Sequence, residues 1–114
     1  MNPRQLEHVA KIERARTATL QWAKMRGLPL VHLDFVATFE DWDHGIEVWF
    51  FFGTDSERQQ FEADGTTREM ADFHLQKLRE DGYDFAAFPD VQFHADSKQH
   101  VDAEFQGSYF YRLR

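Results

Sequence analysis

The sequence predicts an α+β fold: a single domain over 1–114, built on a mostly antiparallel sheet of about four strands, with a mixed sheet as the alternative. Helices are expected on one face of that sheet. Three observations carry this expectation. The segments 31-VHLDFVATFE-40 and 46-IEVWFFFG-53 alternate with period two, as strands do. Apolar residues between Leu6 and Met25 recur at steps of three and four, the spacing of one helix face. Thr54 with Glu57, and Thr66 with Glu69, each match the reciprocal capping pattern that opens a helix.

Taken in order, the elements run α-β-β-α-α-β-α-β. Residues 1–28 form an N-terminal helical segment and 30–114 the sheet with its helices. Asn2 can cap the first helix and Pro3 fits its first turn without losing a hydrogen bond. The stripe Leu6, Val9, Ile12, Ala15, Ala18, Trp22, Met25 drifts, so this helix either wraps its support or breaks near Thr17. Gly27 and Pro29 end it. In the first strand Val31, Leu33, Phe35, Ala37 and Phe39 share one side, and His32, Asp34, Val36, Thr38 and Glu40 the other. The turn formers 41-DWDHG-45 read as a hairpin loop. The returning strand puts Ile46, Val48, Phe50 and Phe52 on the core side, with Glu47, Trp49 and Phe51 opposite. Two helices follow, from Thr54 to Gly65 and from Thr66 to about Asp81. An aromatic loop, Tyr83 to Asp90, leads into a strand at 91-VQFHA-95. Asp96 or Ser97 caps a short helix closed by Gly107, and 108-SYFYRLR-114 is expected as the last strand.

Composition narrows the function classes. The chain is 42% hydrophobic, with twelve Phe, so a single core needs no staples. There is no cysteine, which excludes disulfides, thiolate metal sites and a cysteine nucleophile. The net charge of −7 disfavours a phosphate backbone as ligand and suits a basic protein partner. No apolar run long enough to span a bilayer and no secretory signal is evident, so a cytoplasmic protein with no membrane association is expected.

Three His-x-Asp triplets invite a chemical reading: His32 with Asp34, His94 with Asp96, and His100 with Asp102. On a strand, residues two apart share a face, so the first two pairs can each act together. On a helix they point about 200° apart, which sets the third aside. If the strands carrying His32 and His94 were neighbours, two imidazoles and two carboxylates would converge. Such a set could bind a divalent ion or exchange protons. Hydration of an exposed sheet face explains the same residues, with Asp96 as a helix cap. Asp41, Asp43 and His44 lack the glycine and distal glutamate of a calcium loop and fit turn chemistry. His74, midway along a helix, is assigned no role. Phosphate loops, G-x-S-x-G and H-E-x-x-H are all absent.

The candidate binding residues are therefore His32, Asp34, Trp49, Phe51, His94, Asp96, Tyr109 and Tyr111, all expected on one side of the sheet, with Phe110 and Arg112 as the alternative to the two tyrosines. No catalytic residue, metal ligand or cofactor is assigned. The favoured expectation is an acidic module that docks a basic protein, as a small inhibitor or immunity-type protein would, rather than an enzyme, and without nucleic acid. The alternatives are a small-ligand binder or enzyme using the His/Asp cluster, and a structural homo-oligomer that buries Trp49 and Phe51.

Overall fold

A computed structural model describes residues 2–37 and 45–113. The expected hairpin loop up to His44, including Asp41 and Asp43, lies outside them together with Thr38, Phe39 and Glu40. The described chain runs α1 (Pro3–Met25), β1 (Leu30–Ala37), β2 (Ile46–Phe52), α2 (Asp55–Ala63), α3 (Thr66–Glu80), β3 (Val91–Ser97), α4 (Lys98–Glu104) and α5 (Tyr109–Arg112). The fold is α+β, but among the described residues the sheet has three strands, not four, in the order β1-β2-β3. β1 pairs with β2 antiparallel and β2 with β3 parallel, so the sheet is mixed. The β2-to-β3 connection contains two helices, which supplies the length a parallel crossover needs.

α1 begins as its residues dictate: the Asn2 side chain accepts from the Gln5 amide while the Gln5 side chain accepts from the Asn2 amide. It does not break at Thr17. The drifting stripe is resolved by burying His8, Ile12, Ala15, Thr19 and Ala23, whose spacing of three and four stays on one face, while Leu6 and Met25 point to solvent. α2 carries the expected reciprocal cap between Thr54 and Glu57. α3 does not: Thr66 lies inside the helix, and Gly65 holds the N-cap position in a left-handed conformation with no side-chain cap.

The main core is a layer between α1 and α3 and one face of the sheet. Ile12, Ala15 and Ala23 of α1 and Met70 and Leu78 of α3 meet Leu33, Val48, Phe50 and Phe52. Phe61 of α2 stacks near Phe52, 5.1 Å between ring centres. The aromatic loop joins this core through Tyr83 and Phe88, with His8 4.1 Å from the Phe88 ring. A polar pair lies inside it. The Thr19 hydroxyl donates its only proton to the Ala15 carbonyl at 2.8 Å, so its 2.9 Å contact with His74 Nδ1 requires a proton on that nitrogen. Nε2 of His74 is then a bare acceptor, buried without a partner. Burial lowers the His74 pKa to about 4.

One glycine fixes the start of the parallel pair. Gly45 has φ of +82°, and a side-chain carbon there would sit 1.8 Å from the Asp90 carbonyl oxygen. That same oxygen accepts from the Ile46 amide at 2.8 Å.

The last strand, expected over 108–114, does not form among the described residues; Tyr109–Arg112 are instead the helical turn α5. Gln106 and Gly107 both have positive φ, 55° and 75°, and this pair of left-handed residues turns the chain back on itself. The Ser108 side chain then accepts from the Tyr111 amide and starts a helical turn. The tail consequently crosses the sheet and adds no strand to its edge. Helices thus lie on both faces of the sheet, not on one: α1 to α3 over the core, α5 over the reverse.

Candidate functional site

Because side chains alternate along a strand, the reverse face carries His32 and Asp34 from β1, Glu47, Trp49 and Phe51 from β2, and Gln92, His94 and Asp96 from β3. The register sets Asp34 opposite Trp49, Trp49 opposite His94, His32 opposite Phe51, and Phe51 opposite Asp96. β2 therefore stands between the two His-x-Asp strands. The four-residue convergence expected of neighbouring strands does not form; a Trp-Phe ridge separates the two pairs.

Each histidine finds a carboxylate, though not always the one two residues away. His32 Nε2 lies 3.4 Å from Asp34 Oδ2, as the triplet suggests. His94 turns from Asp96 to Glu47 on the next strand, Nε2 to Oε1 3.0 Å. Its ring stacks on Trp49 at 4.5 Å.

Asp96 belongs to a different group. It is buried, and its carboxylate accepts from Arg112 Nε at 2.6 Å, from His100 Nδ1 at 2.9 Å and from the Ser97 amide at 2.8 Å. Burial alone would raise its pKa; the hydrogen bonds from Arg112, His100 and Ser97 outweigh that and hold it below the usual carboxylate value. Asp96 is thus an anchor and no helix cap. The cap of α4 is Ser97, whose Oγ accepts from the His100 amide.

The aromatic candidates divide. Phe51 is fully buried although it faces away from the main core. Its cover is Tyr109, whose ring lies 4.7 Å away edge-on and also stacks on His32 at 4.0 Å. Trp49 is only partly covered. The Arg112 guanidinium sits 4.5 Å over its ring, and its indole N–H is buried without an acceptor. Tyr111 does not join them. On a strand it would share a side with Tyr109; on α5 it points outward beside Phe110, with exposures of 52% and 68%. The residues that share α5's inner face are Tyr109 and Arg112, three apart.

One contributor, His100, escaped sequence reading, and another, Arg112, stood there only as an alternative. His100 was set aside with Asp102, which instead pairs with Lys98 at 2.6 Å. Its partner is four residues earlier, a spacing that signals contact only once a helix is known to start at Lys98. Arg112 carried a visible signal, an arginine among aromatics, but nothing in the sequence aims it at Asp96.

Among the described residues no group of three or more His, Asp or Glu side chains is arranged to hold a metal ion. No helix there is long and apolar enough to cross a membrane. A small cavity of about 180 Å³ lies far from this face, lined by Arg4, His8, Lys11 and Asp84 among others. In comparisons with protein-family models, curated proteins and solved structures, the chain gives no match.

Proposed function

We propose that the reverse face is a docking surface for a basic protein partner, and that the chain is a binding module with no catalytic activity. The observation that carries this reading is Trp49. It is a partly open ring on the central strand, flanked by the half-exposed carboxylates Asp34 and Glu47. Trp is among the residue types that anchor interfaces, and acid at the rim steers a cationic surface toward it. The net charge of −7 extends that attraction over distance. Exposed Phe110 and Tyr111 add apolar contact area beside α5. A cytoplasmic setting accords with this reading.

A photo-crosslinking residue in place of Phe110 tests it in the native host. The expected product is a covalent adduct with a basic protein, reduced strongly by the double change Asp34→Asn, Glu47→Gln. Adducts formed only between copies of this chain would instead make the face a homo-oligomer contact. Adducts with neutral or acidic proteins that ignore the double change would remove the electrostatic basis of the reading.

A further inference from the structure

Three imidazole–carboxylate pairs occupy this one face: His32 with Asp34, His94 with Glu47, and His100 with Asp96. They come from β1, β2, β3 and α4, and they touch the aromatic residues of the site. His32 lies against Phe51 and Tyr109, and His94 against Trp49. While the imidazoles are neutral, three carboxylates against one guanidinium, Arg112, leave the cluster with two negative charges. When all three imidazoles bind a proton, the same groups carry one positive charge.

Imidazole is the side chain whose ordinary charge change falls between pH 5 and 8. The neighbouring charged groups do not offset such a change. Lys98 and Asp102 on α4 neutralise each other through their 2.6 Å contact. The Tyr109 phenol on α5 stays uncharged throughout, since burial raises its pKa above the ordinary value near 10. Within the three pairs and Arg112 the sign of the charge therefore follows the histidines; Asp55, which accepts from Ser97 Oγ, and Glu104 on α4 lie beside them as constant negative charges over this range.

We propose that this cluster is a proton-operated release device: it holds a cationic partner segment near neutral pH and expels it in mild acid. The inference rests on the docking reading above and adds its regulation. Attraction between the acidic face and a cationic segment turns into repulsion as the face changes sign, while Trp49 and Tyr109 stay where they are.

The test uses the full chain and a short polylysine peptide as probe, with binding measured at pH 7.5 and 5.5 and far-UV circular dichroism confirming the fold at both. Wild type should bind at pH 7.5 and weaken roughly tenfold or more at pH 5.5. The variant H32Q/H94Q/H100Q, which keeps hydrogen-bonding amides but cannot gain charge, should bind nearly equally at both values. If it misfolds, His94→Gln alone should remove part of the loss. Equal wild-type binding at both pH values overturns the release device and leaves the docking reading standing; no binding at pH 7.5 overturns both. Ring-proton NMR of the wild type is a second readout that needs no variant. Two or more of the His32, His94 and His100 rings that stay unprotonated at pH 5.5 overturn the inference whatever the probe does.

Discussion

The two faces of β2 are built from the same kinds of residue and held in different ways. On the core face Phe50 and Phe52 are enclosed by α1 and α3, long helices that bring their own apolar stripes. On the reverse face Phe51 is just as inaccessible, yet it is enclosed by the half-buried rings of His32 and Trp49 and by Tyr109 on a four-residue helix. That helix is tied down through Arg112 to Asp96 and over Trp49. Burial on the first face is permanent packing. Burial on the second depends on a charge-assisted hydrogen bond and a few ring contacts, so undoing it costs less. The lesson is that burial by itself does not separate a structural aromatic residue from a functional one; what does the covering matters more.

Four measurements test this contrast. Phe50→Ala should destabilise by about 3–5 kcal/mol in urea unfolding, the usual range for emptying a packed aromatic site. A loss well below that would mean the core face collapses around the gap and is no better packed than the reverse.

Acid should act mainly through the core. The His74 pKa is about 4 in the folded chain, against the ordinary histidine value of 6.5. A depressed folded value means the stabilisation is fully present above pH 6.5 and is lost as pH falls toward 4. The full difference is roughly 3 kcal/mol. His8, lowered chiefly by its own burial, adds in the same direction. Denaturation midpoints from pH 7 to 4 should follow this slope, and His74→Leu should flatten most of it. An unchanged slope in that variant would place the proton uptake elsewhere.

Asp96→Ala removes the acceptor of Arg112 and His100 and should cost about 1–3 kcal/mol. Because Arg112 rests on Trp49, indole fluorescence should shift to longer wavelength as α5 loosens. Destabilisation with no spectral change would mean that α5 stays in place without its anchor.

The smallest effect is expected at the ring with the greatest proposed role. Trp49→Ala should cost about 1–2 kcal/mol, because only part of the side chain leaves water on folding. A loss of 3–5 kcal/mol would assign Trp49 to the core and remove it from the docking surface.

Period-two alternation placed Leu33, Val48, Phe50 and Phe52 in the core and put Trp49 and His94 together on the reverse. It could not place Phe51 under cover, because that cover comes from a segment whose own pattern misled. In 109-YFYRLR-114 three consecutive aromatic residues favour a strand, but Gln106 and Gly107 reverse the chain and Ser108 caps a helical turn. Backbone conformation at two residues outweighed side-chain preference over six. Pairing across strands was likewise beyond local pattern. His94 bonds to Glu47, 47 positions away in the chain, because β2 and not β1 is its neighbour. The helix starts were readable where a side chain makes the cap, at Asn2 and Thr54, and misread at Gly65, where the backbone does it without one.

Gly45 carries a consequence for how this chain can vary. Its hydrogen occupies the only space left between the incoming chain and Asp90, so every other amino acid would push the two strands' starting points apart. The chain must therefore enter β2 through a glycine at this one spot. A single methyl group at Gly45 would shift the alignment of Trp49 with His94.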